Sequence, residues 1–255
     1  MVAVTTSLII PCYNEVEGIP QLCTRLRELC GELSLNGGTE VVFVDDGSID
    51  GTADAIRREA AGLPYRIVSH EQNHGLGDAL RTGFAESRGQ EVVTLDSDCT
   101  YDPMQAIPLL GLLRQGNDVV TGSPYHPDGE VVNVPGWRLF LSKSLSHLYW
   151  IIVPVHLYTY TSCFRAYRRE ALPVLESKDP GFLAVTELLV SAILKGLRVA
   201  ELPARLTSRR FGQSKIRTAA VALSHLRYIA HVVLTRAGVW RAPMISQEPK
   251  SIHSH

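Results

Sequence analysis

The chain is expected to fold as an α/β protein on a doubly wound, mostly parallel sheet flanked by helices. Three observations predict this. Short runs rich in β-branched residues recur through the first half, apolar without alternation, as strands buried on both faces are. Segments with helical apolar spacing separate them. With 255 residues, 45% hydrophobic and 20% charged, the chain can bury one large core and is neither disordered nor fibrous.

The first strand is Ser7–Pro11 (SLIIP), and the helix after it, Ile19–Leu33, aligns Leu22, Leu26 and Leu29. Strand Glu40–Asp46 (EVVFVDD) precedes helix Asp50–Ala61, which lies behind an N-cap candidate. Strand Tyr65–Ser69, helix Gly77–Ser87, strand Glu91–Asp96, helix Pro103–Arg114 and strand Asp118–Gly122 continue the alternation. From about Gly136 the regularity gives way to an aromatic, apolar stretch. A helix (Phe182–Lys195), a short strand (Arg198–Glu201), a basic loop and a final amphipathic helix (Ile216–Arg236) complete the pattern. In that last helix Ile216, Ala220, Leu223, Ile229 and Val233 fall broadly on one side. Residues 1–240 are expected to form a single domain, with 241–255 a flexible tail.

The formal net charge of −1 conceals an asymmetry: residues 1–102 carry 17 acidic against 7 basic side chains, and residues 103–255 carry 9 against 18. No nucleic-acid partner is expected. Five cysteines form no CxxC pair and no zinc-ligand cluster, which fits a reducing compartment. The N-terminus lacks a basic region and a small-residue cleavage site, so no signal peptide is expected. The most apolar stretches, Leu139–Tyr158 and Ala219–Val239, are broken by Lys143 and His147, and by His225, Arg227 and His231. Neither reads as a membrane span of about 20 apolar residues; both suit an interfacial position.

Open α/β sheets bind ligands at the carboxyl ends of their strands. Three strands end in acid here: Pro11-Cys12-Tyr13-Asn14-Glu15, Asp45-Asp46-Gly47-Ser48 and Asp96-Ser97-Asp98. Carboxylates gathered on one edge repel one another, and a divalent cation relieves that repulsion. Asp96 and Asp98, two residues apart at a strand terminus, can both turn toward one hard cation that takes its remaining ligands from water and a diphosphate.

The segments SLIIPCYNE, VVFVDDGSIDGT, NHGLGDALRTGF, VVTLDSDCTYDP, TSCFRAYRREAL and ELPARLTSRRFGQSK occur in this order over roughly residues 5–217. Together they resemble family 2 glycosyltransferases of the GT-A fold, and among these the dolichol- and polyprenol-phosphate mannose synthases and their glucosyl counterparts. The resemblance implies that residues 1–102 form a nucleotide-sugar-binding half and residues 103–240 an acceptor half. It implies that Pro11, Tyr13 and Glu15 line the nucleoside pocket, that Val44 and Asp46 contact base or ribose, and that Asp96, Ser97 and Asp98 meet the sugar nucleotide, with Asp96 and Asp98 holding Mg2+ or Mn2+. On the other side, Arg209 and Lys215 match the R-x-x-G-x-S-K element, and Arg138 with Ser142 the R-x-x-x-S pair, which bind acceptor phosphate and donor diphosphate in those enzymes. An arginine fork suits phosphate geometry. Asp98, Arg209 and Lys215 are the implied catalytic groups.

Three positions depart from the relatives' pattern. Thr100 replaces a Gln that joins the metal shell, Pro124 an Arg of a GSR element, and Thr159 an acidic residue. Glu187 lacks the neighbouring Asp of hydroxyl-acceptor relatives and is either a general base or an organiser of nearby groups. The implied activity is inverting, metal-dependent transfer of a hexose from GDP-mannose or UDP-glucose to a polyprenyl or dolichyl phosphate. The expected location is peripheral, at the cytoplasmic face of a membrane, where a membrane-protein partner is conceivable. Two alternatives stand beside it: transfer to a saccharide or other hydroxyl, and a catalytically idle nucleotide-sugar-binding protein.

Overall fold

The computed structural model describes residues 4–35, 37–209 and 218–236. A central seven-stranded sheet contains β1 (Val4–Cys12), β2 (Gly38–Asp45), β3 (Tyr65–Ser69), β4 (Glu91–Thr94), β5 (Val119–Ser123), β7 (Arg165–Arg168) and β8 (Val199–Pro203). Its order is β3-β2-β1-β4-β7-β5-β8; a two-stranded sheet pairs β6 (Glu130–Val132) with β9 (Arg205–Thr207). Helices α1 (Ile19–Ser34), α2 (Thr52–Glu59), α3 (Leu76–Glu86), α4 (Ala106–Arg114), α5 (Gly136–Ile152), α6 (Ala184–Leu194) and α7 (Thr218–Arg236) flank the main sheet. The five strands expected from apolar runs and the short strand expected at Arg198–Glu201 are all present, and they pair in parallel where they adjoin one another.

β7 is the exception, running antiparallel between β4 and β5. Four residues with arginine at both ends do not read as a buried strand. Arg165 is nevertheless fully buried, because its guanidinium donates to Thr121 Oγ1 (3.2 Å), to the carbonyl of Tyr160 (2.8 Å) and to the carbonyl of Val185. A buried guanidinium is tolerated when its donors are satisfied in this way.

The strand order reverses at β1, which has β2 on one side and β4 on the other. Pro11 marks where the two sides part. Ile9 still pairs with Thr94 and accepts from Leu95 N, whereas Pro11 pairs only with Val44 of β2. A proline offers no N–H toward β4, so the ladder ends there and a crevice opens above β1 and β4.

The aromatic stretch after Gly136 is helix α5, and α7 packs on it. The face of α7 turned to the core carries His225, Tyr228, Ile229 and Val232. This corrects the expected stripe: Leu223 and Val233 face outward, at 49% and 44% exposure, and Ile216 lies outside the described residues. His225 is buried with Nδ1 3.0 Å from the Tyr149 hydroxyl. Burial lowers its pKa from 6.5 to about 4, against a smaller opposing pull from Asp179. The folded chain therefore favours neutral imidazole, and this contribution is complete above pH 6.5 and lost as pH falls from there through about 4. Thermal unfolding at pH 7 and pH 4.5 should show a smaller acid-induced drop in Tm for His225→Phe than for the wild type; equal drops would remove this residue from the account.

Candidate active site

The loop after β1 is built by the loop after β2. Asn14, at φ 51°, accepts from Ile49 N through its side chain (2.8 Å), and its own N–H donates to Ser48 Oγ (2.9 Å). Glu15 N donates to Thr52 Oγ1 (2.8 Å) and Val16 N to Asp50 Oδ2 (3.1 Å). Ser48, Asp50 and Thr52 thus hold Tyr13–Val16 in place, which gives the DGSIDGT segment a supporting role.

Asp46 is similarly occupied. It is buried, and its Oδ1 accepts from His74 N (2.9 Å) and lies 2.7 Å from His70 Nδ1, while Oδ2 accepts from Asn73 Nδ2 (2.9 Å) and Gly75 N (2.7 Å). Four neighbours use both oxygens, so Asp46 organises the 70–75 loop rather than presenting an open carboxylate. Val44 is a core residue, fully buried beside Val42 and Ala79, with Val68 partly buried against them. The glycines of NHGLGDAL serve an internal contact: Gly77 N donates to the Pro180 carbonyl (2.7 Å), and a Cβ at Gly77 would overlap the Asp179 carbonyl.

Above the crevice, Glu15, Asp98 and Arg209 meet. Arg209 Nε donates to Asp98 Oδ2 (2.8 Å) and its Nη1 to Glu15 Oε1 (3.0 Å). Asp98 Oδ1 accepts from Thr100 N (3.0 Å), and Cys99 between them takes φ 54°. Asp96 belongs to the same field. Desolvation and the neighbouring Asp98 carboxylate raise its pKa above the ordinary carboxylate range, with Glu15 adding to the rise and Arg209 and Arg165 opposing it. Ser97 is buried beneath, and Pro11 and Tyr13 are partly exposed at the crevice edge.

Arg209 is placed by backbone contacts that no local pattern in the sequence announces. Thr207 N donates to the Thr100 carbonyl (2.9 Å), Ser208 N to the Val132 carbonyl (3.1 Å), and Tyr101 forms a bridge with Leu206. The three-residue strands β6 and β9 thereby fasten the start of the basic loop to the residues after Asp98. Lys215 lies outside the described residues.

In the second half of the chain, Ser142 Oγ lies 2.8 Å from Thr161 Oγ1, and Arg138 stacks over Trp137 at 5.2 Å. Ser123 and Thr159 join through their hydroxyls (2.7 Å), and Glu201 accepts from Tyr158 N (2.9 Å) and Thr159 N (2.7 Å). Glu201, unremarked in the sequence, brings a carboxylate to the place where Thr159 lacks one. Glu187 Oε2 accepts from Lys178 N (2.7 Å), Asp179 N (2.8 Å) and Ser177 Oγ (3.1 Å). Three donors thus converge on that oxygen.

Among the described residues no group of three or more His, Cys, Asp or Glu side chains forms a ready metal cage. Asp96 and Asp98 offer hard oxygen donors for part of a shell, which fits Mg2+ or Mn2+ completed by diphosphate and water.

A mostly parallel sheet with acid at the β1 and β4 ends and an antiparallel β7 inserted beside β4 is a GT-A fold. The comparisons give the family. Residues 7–175 match the model described as Glycosyl transferase family 2, and the chain belongs to that family. It is a glycosyltransferase of the hexosyltransferase type.

It is 35% identical over 219 residues to the polyprenol monophosphomannose synthase of Mycolicibacterium smegmatis, covering 83% of this chain and 80% of that one. It is 35% identical to the undecaprenyl-phosphate mannosyltransferase of Micrococcus luteus (82% and 86% covered). Identity to the dolichol-phosphate mannosyltransferase of Pyrococcus furiosus is 30%, over 88% of this chain but 62% of that longer protein. Among solved structures, glucosyl-3-phosphoglycerate synthase from Mycobacterium tuberculosis with Mg2+ and UDP superposes with a TM-score of 0.68 at 23% identity, covering 94% of this chain and 81% of that one. That likeness concerns the fold.

Proposed function

We propose that the protein transfers a hexose, with inversion, from a nucleotide sugar such as GDP-mannose or UDP-glucose to a polyprenyl phosphate. The observation that carries this reading is the meeting of Glu15 and Asp98 from the acidic half with Arg209 from the basic half, in a relative of polyprenyl-phosphate mannosyltransferases. Pro11, Tyr13 and Glu15 would line the nucleoside side, and Asp96 and Asp98 would hold Mg2+ or Mn2+. When bound, such an ion supplies Lewis-acid stabilisation of charge on the leaving diphosphate.

In the reaction an acceptor phosphate oxygen attacks C1 as the bond from C1 to the diphosphate oxygen breaks. A phosphate monoester has a second pKa of about 6, so at neutral pH it is largely dianionic and no side chain has to remove a proton. Arg209, with Arg138, Ser142 and Lys215, would receive phosphate, while Glu187 holds residues 177–179 in position.

The membrane side is read from α5 and α7. Trp137, Phe140, Trp150 and Ile151 on α5, and Leu226 and Leu234 on α7, are exposed, with Phe140 at 71%. Neither helix contains an acidic residue, and Arg138, Lys143, Arg227 and Arg236 add positive charge. Exposed apolar groups with cations beside them suit anionic headgroups. No helix among the described residues is long and apolar enough to cross a membrane. Contact is therefore proposed to be peripheral, and Cys12, Cys23, Cys30, Cys99 and Cys163, all present as thiols rather than disulfides, are compatible with a cytoplasmic face.

One assay tests acceptor and membrane together, with the polyprenyl phosphate presented in anionic vesicles. Glu187→Gln should stay within a few-fold of the wild type, and Phe140→Glu should raise the apparent KM for vesicle-borne acceptor by about ten-fold, near the cost of bringing one charge toward lipid. Loss of turnover beyond about a hundred-fold in Glu187→Gln would favour a hydroxyl acceptor with Glu187 as base. Unchanged kinetics in Phe140→Glu would remove α5 from the membrane contact.

A further inference from the structure

The Arg209 guanidinium sits where a cation is wanted. Its Nε and Nη1 reach carboxylates that come from two strands, Asp98 after β4 and Glu15 after β1, and Asp96 adds a third carboxyl to the same field. One guanidinium offsets one of these charges. A divalent ion brought to Asp98 carries twice the charge into the same small space, and two cations sharing the Asp98 carboxylate repel each other. The Arg209 side chain has room to yield: it retains 24% exposure, whereas Glu15 and Asp98 are held at 6% and 12%. The main chain beside it is fixed by the Thr207 to Thr100 and Ser208 to Val132 bonds, so movement of the side chain does not require the loop's start to leave.

We propose that Arg209 is an internal placeholder for the divalent ion: it bridges Glu15 and Asp98 until the ion arrives, is displaced by it, and then turns to take a phosphate. The inference rests on the metal-dependent reading above and deepens it. Its consequence is order. Before the ion binds, the arginine fork is occupied by carboxylates and is a poor phosphate receptor; afterwards the same fork, still beside the diphosphate site, is available to an anion. Binding of acceptor phosphate is thus coupled to loading of the donor side, with the guanidinium as the shared element.

The test uses the whole chain and Mn2+ alone. Mn2+ uptake is followed by electron paramagnetic resonance, and reaction of individual arginines with phenylglyoxal is followed by peptide mass spectrometry. Saturation with Mn2+ is expected to raise labelling of Arg209 by three-fold or more. Arg25, which pairs with Asp102, is the internal control and should not change. Glu15→Gln should raise Arg209 labelling without metal, and Arg209→Met should take up Mn2+ at several-fold lower concentration than the wild type. If Mn2+ binds while Arg209 labelling stays constant or falls, the placeholder role is overturned and the metal-dependent reading survives. If neither the wild type nor Arg209→Met takes up Mn2+, whether alone or with a nucleoside diphosphate, both are overturned. Uptake by Arg209→Met alone supports the placeholder.

Discussion

Replacing Asp98 with Asn is expected to lower transfer by about a thousand-fold or more, the scale on which loss of a charge-stabilising group at a reacting centre is felt. The fold should hardly register the change. Asp98 Oδ1 accepts the Thr100 N–H, and an asparagine carbonyl retains that acceptor, so the φ 54° turn at Cys99 keeps its bond. Arg209 keeps Glu15 as a partner. A stability loss within about 1 kcal/mol is therefore expected, the worth of one altered hydrogen bond. Steady-state kinetics set beside chemical denaturation separate the two effects. Full activity in the variant would end the role assigned to the strand-end carboxylates.

Gly77→Ala should act in the opposite sense, on stability first. In an exposed helix this substitution gains about 1 kcal/mol from propensity. Here the new methyl would overlap the Asp179 carbonyl and stand 2.7 Å from Ala184 Cβ, in a seam where Gly77 N also donates to Pro180. Overpacking costs about 1–3 kcal/mol and more against backbone, so the clash wins. A net loss of about 2 kcal/mol lowers Tm by about 4–8 °C in a chain of this size. Gly111→Ala in α4 is the matched control, since nothing lies within 4 Å of the place its methyl would take, and it should raise Tm slightly. A Gly77→Ala protein as stable as that control would show that the α3 seam is looser than described.

Those two residues also indicate what was legible in the sequence. Strands with continuous β-branched runs and helices with clear spacing were readable because burial on both faces and the 3.6-residue period leave direct marks. Asp96 and Asp98 were readable for the same reason, since the end of an apolar strand fixes where they stand. β7 was not, because Arg165 is buried by hydrogen bonds to carbonyls from distant segments, a satisfaction that leaves no local pattern. β6 and β9 are three residues each and depend on pairing across more than seventy positions. Asp46 and Val44 looked alike as strand-end candidates, yet one is saturated by the 70–75 loop and the other lies in the core. Side-chain direction at a strand end is set by its neighbours in space.

The near-neutral total charge was the least informative number in the sequence and its division the most. Glu15 and Asp98 belong to the acidic stretch and Arg209 to the basic one, and the fold brings them within 3.0 Å. The acidic and basic parts of the chain thus meet at one place.

The most direct test of the central claim is transfer itself. Purified protein is incubated with Mg2+, a polyprenyl phosphate in vesicles, and radiolabelled GDP-mannose or UDP-glucose in parallel, and label is followed into the lipid phase. Metal-dependent formation of a hexosyl polyprenyl phosphate, labile to mild acid, is expected from one of the two donors. Label that remains in the nucleotide sugar, or is released as free hexose, with both donors when the protein is shown to be folded would contradict this.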